Sequence, residues 1–442
     1  MRLNEKKFYD LASQRGIEAA SITINKAHSL SCGVFHGEVN NVTISDDFSV
    51  IAKGVYKEKF GTVRVEAIDK DTPEFLVNSI IETASVIEKE EKATIFKGSE
   101  KYHKKNLYKP EVLSTDLSDK VKILLEIEAK LKAYDPRISE VASVEYQETD
   151  TQSSLSNSYG LKLSQKSALY GFVAEIVATQ GDENKTGFKV FFSDDINAFD
   201  IDKFVEDVAK DGLSKLGSTQ CKSKKYPVVL NAKSASSLLS ALLSNIDAEQ
   251  VQKHSSKFEG KLHQQVASKK ITLIENPLEP NLNFRYYDDE GVATRKKTII
   301  NKGVLETYIY TLETAAKDGV EPTGNGYGSG HASASLVNAK IKAGKRSEEQ
   351  LFEKIKLGVY ITDLEGLHAG LNSQSGNFSL QSQGFMIRDG KIAEPLSLIT
   401  VAGNLFDLFM DVKEVSNTYA ANSHSNTKSP ALLIKKLSIT GK

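Results

Sequence analysis

Three consecutive carboxylates, Asp288, Asp289 and Glu290, precede Gly291 and form a cluster whose residue types could do chemistry. Clustered carboxylates can hold a metal ion or serve as general acid and base. The same four residues can also close a tight turn, in which the carboxylates accept hydrogen bonds from backbone N–H groups. The residues by themselves leave both interpretations open.

Two later segments, 366–378 and 399–409, combine glycines and asparagines with flanking apolar residues. An extended peptide needs backbone partners and apolar pockets, which such segments can supply. Plain turns between strands use the same residue types. The candidate cleft residues in these segments are His368, Gly376, Asn377, Gly403 and Asn404.

The glycine-rich segment 324–330 lacks the Gly-Lys-Ser/Thr ending of a phosphate-binding loop. Segment 343–347 contains a Gly-Lys pair, but Ala339 stands where the first loop glycine belongs. We therefore predict a mobile loop lining a cleft, since glycine lets a backbone approach a ligand closely. Nucleophilic catalysis has equally little support, because Cys32 and His36 are neighbours only in sequence.

A zinc site on a helix needs two histidines about one turn apart and a glutamate that activates water. The chain has eight histidines, and none of them is followed by glutamate. His254 ends a predicted helix at 231–254, and His263 lies beyond it. The two lack paired spacing, which is typical of ordinary histidines. We therefore predict that this chain contributes neither a catalytic residue nor a metal ligand.

The bulk composition excludes several classes of protein. With 40% hydrophobic and 26% charged residues over 442 positions, the chain resembles a soluble protein of two or three domains. A net charge of −1 favours neither nucleic acid nor a membrane surface, and no apolar run approaches the roughly 18 residues that span a bilayer. Only Cys32 and Cys221 are present, and the N-terminus has no signal-like apolar core, so we predict a cytoplasmic protein.

The hydrophobic pattern predicts an α+β protein with two smaller N-terminal α+β domains, 1–95 and 113–220, and a β-rich C-terminal domain, 225–442. An exposed linker is expected at 93–112. The predicted elements of the first two domains are helices at 1–16, 72–87, 118–135 and 202–216 and strands between 20 and 67 and between 138 and 180.

The C-terminal domain is predicted to begin with a short strand and one long amphipathic helix, 231–254. Ser347 and Gln350 form a capping box for a short helix. Asp389-Gly390 is a strong two-residue hairpin signal. The other predicted elements are hairpin strands at 293–300, 304–311, 380–388 and 391–393 and a last strand at 431–440.

Five segments in this order resemble the TldD/PmbA family, whose members are also called modulators of DNA gyrase: 226–254, 287–294 (YDDEGVAT), 322–327 (PTGNGY), 366–378 and 399–405 (ITVAGNL). The TldD branch of that family is a zinc peptidase that carries His-Glu-x-x-x-His on the long helix and a cysteine near the C-terminus. The PmbA branch, also called TldE, lacks these ligands and pairs with TldD.

The resemblance places the missing ligands near Leu243, Ser244, Ala248 and Ser429, none of which suits zinc. The chain therefore resembles the PmbA branch. The resemblance implies a barrel-like C-terminal domain and a framework role for residues 288–291, and it favours a cleft at the two glycine- and asparagine-rich segments.

The resemblance also implies partners. We expect a non-catalytic subunit of a TldD/TldE-type zinc protease, with zinc only on a TldD-like partner, an extended peptide or unfolded protein as substrate, and a homodimer when the chain is alone. One alternative is an active metallopeptidase that takes its ligands from His331, His368, His424 and the carboxylates of 288–291. Another is a pure peptide-binding protein.

Overall fold

The computed structural model describes residues 3–88, 94–420 and 425–442 of the chain. The start of the predicted linker and the candidate ligand His424 lie outside these residues. The N-terminal half alternates helices and long strands, as its hydrophobic pattern predicts. Its elements are α1 (Glu5–Gln14), β1 (Ala19–Phe35), β2 (Glu38–Tyr56), β3 (Lys59–Val65), α2 (Thr72–Val86), α3 (Leu117–Tyr134), β4 (Ile138–Asn157), β5 (Lys162–Gln180), β6 (Glu183–Ser193) and α4 (Ile201–Leu213).

The six N-terminal strands form one antiparallel sheet in the order β3-β2-β1-β4-β5-β6. The two predicted N-terminal units therefore meet edge to edge, through β1 and β4. Successive side chains of a strand point to opposite faces, and residues such as Ile22 and Ala52 pack under α1 and α2. On the opposite face, Leu155 and Leu163 pack against Phe284 of the C-terminal half. The sheet is thus covered by helices on one face and turns its other face toward the C-terminal half.

The C-terminal half is rich in short strands. Its elements are β7 (Lys224–Leu230), α5 (Ala232–Leu243), α6 (Ala248–Gln252), β8 (Leu273–Glu275), β9 (Lys297–Asn301), β10 (Val304–Leu305), α7 (Leu312–Asp318), β11 (Gly326–Tyr327), β12 (Ser333–Ala334), β13 (Ala339–Ile341), α8 (Glu348–Phe352), β14 (Leu357–Glu365), α9 (Leu367–Gly370), β15 (Asn377–Arg388), β16 (Lys391–Asn404), α10 (Leu405–Met410), β17 (Val412–Tyr419), β18 (Thr427–Lys428) and β19 (Pro430–Thr440). Short 3-10 helices span Pro110–Leu113 and Ser244–Ile246.

Five of these strands close into a barrel, which confirms the predicted α+β fold with a barrel-like C-terminal part. Strands β16, β15, β14, β7 and β19 pair in succession, and β16 also pairs with β19. Helix α5 packs its buried leucines, such as Leu238 and Leu242, into the core that the barrel strands share. A second sheet, β10-β9-β8-β13-β18, lies beside the barrel.

The local turn and capping signals appear as predicted. Asp389 and Gly390 both have positive φ, 47° and 80°, at the turn between β15 and β16. The side chain of Ser347 accepts from the Gln350 N–H, and the Gln350 side chain accepts from the Ser347 N–H, which completes the capping box of α8.

The prediction of one long helix over 231–254 is wrong, because the helix breaks at Asp247. Asn245 is buried, and its side chain donates to the carbonyl oxygens of Leu242 and Ser373. Asp247 has extended backbone angles, φ −66° and ψ 120°, and caps the new helix α6. Asparagine and aspartate side chains compete with helical hydrogen bonds in this way.

The predicted strand at 304–311 is also shorter than expected and ends at Leu305. Beyond it, the Ile309 N–H donates to the carbonyl of Ile246, and the Ala248 N–H donates to the carbonyl of Ile309. The broken helix therefore takes the hydrogen bonds that a longer hairpin would have used. Among the described residues, no helix is long and apolar enough to cross a membrane.

Candidate functional site

The carboxylate of Asp288 is buried and holds the backbone of two segments together. Its Oδ1 accepts hydrogen bonds from the N–H groups of Glu290, at 3.1 Å, and Val292, at 2.9 Å, and its Oδ2 accepts from Gly326 at 2.9 Å. Burial raises the pKa of Asp288 well above its ordinary value, and the backbone donors oppose this shift. Within the described residues, the hydrogen bonds of this side chain all come from backbone N–H groups.

The next two carboxylates make the same kind of contact. Asp289 Oδ2 accepts from the Gly328 N–H at 2.9 Å, and Glu290 Oε2 accepts from the Leu312 N–H at 2.9 Å at the start of α7. Gly291 has a φ of 88°, and its carbonyl accepts from the Tyr102 hydroxyl at 2.6 Å. Residues 288–291 therefore link three segments of the C-terminal half and one N-terminal loop.

The asparagine pair predicted to line a cleft instead closes a turn. Asn404 Nδ2 donates to Asn377 Oδ1 at 3.0 Å and to the Ser375 carbonyl at 2.9 Å, and its Oδ1 caps α10. Gly376 has a φ of 78° and lies against the ring of Phe406. Gly403 packs against Phe378 and Leu437, and His368 is exposed on α9.

A large cavity of about 1090 Å³ separates the open face of the N-terminal sheet from the C-terminal half. The sheet contributes alternating side chains such as Thr23, Ile51 and Lys53. Asp289 lines the opposite wall. Burial lowers the pKa of Lys53, and the carboxylates of Glu290, Asp289 and Asp288 act against this shift. The carboxylate turn therefore faces a half-buried lysine across the cavity.

A second cavity, of about 820 Å³, lies where α5 ends and α6 begins. It is lined by the 371–374 loop, by residues of the broken helix and by polar side chains from other loops. Ser335, Leu336 and Asn426 line both cavities, so the two spaces adjoin. Together they form one cleft, which we call the double cleft.

The structure brings only some of the predicted residues to the double cleft. Asp289 lines it, whereas His368, Asn377 and Asn404 do not line either cavity. Sequence reasoning missed Lys53 and Asp247, which do line it. The signal for Lys53 was a single charged residue in the otherwise apolar stretch 50–55 of β2, and it does not distinguish a cleft from solvent.

The residues at which the family resemblance places zinc ligands are Leu243, Ser244, Ala248 and Ser429. Leu243 and Ser244 line the second cavity, and Ala248 is buried nearby in α6. The Ser429 hydroxyl donates to the Pro430 carbonyl at 2.8 Å. These side chains offer neither an imidazole nor a thiolate, so the donor set does not fit zinc.

The alternative ligands are scattered. His331 Nδ1 is 3.3 Å from Glu313 Oε2, and His331 Nε2 is 3.7 Å from Glu249 Oε1. His368 is exposed elsewhere on the surface. Within the part of the chain that the structure describes, no group of three histidine, cysteine or acidic side chains is placed to hold a metal ion.

Comparisons with known proteins agree with this architecture. The profile of the PmbA/TldA metallopeptidase central domain matches residues 110–216, and that of the PmbA/TldA metallopeptidase C-terminal domain matches residues 223–441. A metalloprotease PmbA homolog from Buchnera aphidicola is 27% identical over 64% of this chain and 62% of its own length. Metalloprotease PmbA from Escherichia coli O157:H7 is 23% identical over 98% of this chain and 94% of its own.

A solved structure from Thermotoga maritima, described as a modulator of a DNA gyrase, superposes with a TM-score of 0.90. It is 28% identical to this chain, and the match covers 99% of both chains. The double cleft thus belongs to a two-part fold built from a helix-covered sheet and a closed barrel. The chain is a member of the PmbA/TldD family of metallopeptidase-related proteins.

Proposed function

We propose that this chain is the non-catalytic, PmbA/TldE-like subunit of a TldD/TldE-type zinc protease and shapes the cleft that holds a peptide substrate. The observation that carries the proposal is the double cleft itself. It is open and well formed, yet the residues at the family's zinc position, Leu243, Ser244 and Ala248, cannot bind the metal. The zinc and the hydrolysis would come from a TldD-like partner.

The shape of the double cleft supports an extended peptide as its occupant. The two adjoining cavities, of about 1090 and 820 Å³, together exceed the usual size of a site for a single small molecule. Their walls mix apolar residues such as Ile51 and Leu336 with hydroxyl and amide side chains. An extended peptide needs hydrogen-bonding groups along its backbone and pockets for alternate side chains.

The proposal extends to location and assembly. Cys32 and Cys221 are both buried free thiols, and burial raises the pKa of each, which favours the unreactive thiol. Such cysteines suit the reducing cytoplasm. We propose a homodimer for the chain alone and a heteromer with the zinc subunit.

The test is metal content and peptidase activity of the purified chain, alone and mixed with a TldD-like protein from the same cell. We expect no stoichiometric zinc and no activity alone, and cleavage of an unstructured peptide only in the mixture. Chelator-sensitive activity of the chain alone would establish the metallopeptidase alternative. Peptide binding without any interaction with the zinc protein would favour the pure binding protein.

A blocking substitution tests whether the double cleft takes part. Ser335 is exposed at the junction of the two cavities, so Ser335→Trp fills the passage without disturbing a core. We expect this variant to associate normally with the zinc subunit but to lose most of the activity of the mixture. Ser85→Trp, at an exposed position on α2, is the matched control and should keep full activity. Equal activity of the two variants would exclude the cleft from the reaction.

A further inference from the structure

The described lining of the second cavity is mostly neutral. Its lining contains hydroxyl and amide side chains, and Asp247 is the only ionisable residue among the described residues that line it. The described wall is therefore polar, and its one ionisable group is a carboxylate.

The backbone of Asp247 is held firmly in position. Both of its chain neighbours are hydrogen-bonded to Ile309. The Ile246 carbonyl accepts from the Ile309 N–H at 2.9 Å, and the Ala248 N–H donates to the Ile309 carbonyl at 3.1 Å. Its Oδ1 accepts from the Glu249 N–H at 3.0 Å and so caps α6. The break of the helix at this residue is what brings the carboxylate to the cavity wall.

The charge of Asp247 has no close counterion in the described parts of the chain, since no lysine, arginine or histidine nitrogen there pairs with it. The nearby Lys253 pairs with Glu249 instead, at 2.6 Å. Burial raises the pKa of Asp247, whereas the hydrogen bond from the Glu249 N–H and the more distant positive charge of Lys253 act against this shift. A half-buried carboxylate of this kind gains from any cation that reaches it.

We propose that Asp247 forms a subsite for an ammonium group of the peptide in the double cleft, either its N-terminal amine or a lysine side chain. The inference rests on the proposed function, because it names the chemistry of the substrate that the cleft would take. The ammonium would donate to the carboxylate, while the neutral serine, asparagine and glutamine side chains around the cavity accept its remaining hydrogens.

Capping of α6 offers a purely structural role for the same side chain, and one substitution separates the two roles. Asparagine caps a helix about as well as aspartate does. Asp247→Asn therefore keeps the cap and removes the charge. Asp247→Ser also keeps the cap and removes the charge, with a shorter side chain. If one of the two variants folds incorrectly, the other still tests the charge.

The experiment measures binding of three peptides to the full chain by fluorescence anisotropy at neutral pH. All are about ten residues long, lack histidine and arginine, and carry the dye at the C-terminus. One has a free N-terminal amine and no lysine, the second is the same peptide acetylated, and the third is acetylated with one lysine. We expect at least one ammonium-bearing peptide to bind about tenfold more tightly than the acetylated, lysine-free one.

Both Asp247 variants should lose that preference while binding the acetylated, lysine-free peptide as the native chain does. Tighter binding of the lysine peptide alone would assign the subsite to a side chain, and tighter binding of the free amine would assign it to the N-terminus. Equal binding of all three peptides to the native chain, or a preference that survives in Asp247→Asn, would overturn the subsite and leave the peptide cleft intact. Failure of every peptide to bind would overturn both the ammonium subsite and the peptide-binding cleft of the proposed function.

Discussion

At the scale of single residues, the carboxylates of 288–291 show how a cluster that could do chemistry serves the backbone instead. Asp288 accepts three backbone N–H bonds and contacts no other ionisable side chain at ion-pair distance in the described residues. Its ionised form offers acceptors at both oxygens, which is what three converging N–H donors require. The framework role that the family resemblance implies for these residues is therefore consistent with their contacts.

Asp288→Asn should destabilise the protein by about 1–3 kcal/mol. The amide oxygen can keep the bonds from Glu290 and Val292. The amide nitrogen then faces the Gly326 N–H, and because both groups are donors, that hydrogen bond is lost. Urea unfolding followed by circular dichroism measures the loss. Asp289→Asn is the control, because Asp289 is half-exposed and its one backbone bond, to Gly328, can be kept by the amide oxygen. Equal stability of the two variants would contradict this account.

At the scale of elements, close packing of α2 on the N-terminal sheet depends on a glycine. The sequence Thr72-Pro73-Glu74 starts this helix, with proline at its beginning and an acid in the first turn. Where the helix passes β3, a Cβ placed on Gly61 would overlap the backbone carbonyl of Ile80. Backbone cannot yield as a flexible side chain does, so the helix itself would have to move.

Gly61→Ala should therefore lower stability by about 1–3 kcal/mol, the usual cost of overpacking. Gly330→Ala is the matched control, because a Cβ there meets nothing within 4 Å and the residue has no positive φ. The melting temperatures of the two variants, measured by calorimetry against the native chain, decide the matter. A melting temperature for Gly61→Ala as high as that of Gly330→Ala would show that α2 is not held as closely as described.

At the scale of the whole molecule, the two halves are joined by polar contacts as well as by the apolar packing around Phe284. Glu183, at the start of β6, accepts from the Gly217 N–H at 2.7 Å and from the Ser218 hydroxyl at 2.6 Å. The Ser218 hydroxyl also lies 2.8 Å from that of Ser397 in β16 of the barrel. The hydroxyl bond from Ser218 is the main cause that lowers the pKa of Glu183 to about 2.

The lowered pKa makes this junction sensitive to acid. A carboxylate whose pKa is lower in the folded state stabilises it above the unfolded pKa, here about 4.5, and loses that contribution as the pH falls toward 2. The native chain should thus exceed Glu183→Gln in unfolding free energy at pH 7, and the difference should shrink steadily below about pH 4.5. Urea titrations at several pH values measure it. A difference that is constant with pH would show that the charge of Glu183 plays no part.

The sequence by itself determined local structure, the family, and which residue types cannot bind zinc. The hairpin at Asp389-Gly390, the capping box of Ser347 and Gln350, and the start of α2 depend on residues within a few positions of each other, whose conformational preferences act in any context. The ordered motifs identified the family, and the residue types at Leu243 and Ala248 excluded zinc ligands there without any coordinates.

Only the tertiary structure decided how distant segments meet. Helical periodicity continued past Asp247, yet the chain broke there, because bonds to Ile309 and the buried side chain of Asn245 outweigh propensity. The six-stranded sheet and the cleft beneath it likewise arise from pairing between β1 and β4, more than a hundred residues apart. Such contacts depend on the combined packing of the whole molecule, which no short window of sequence contains.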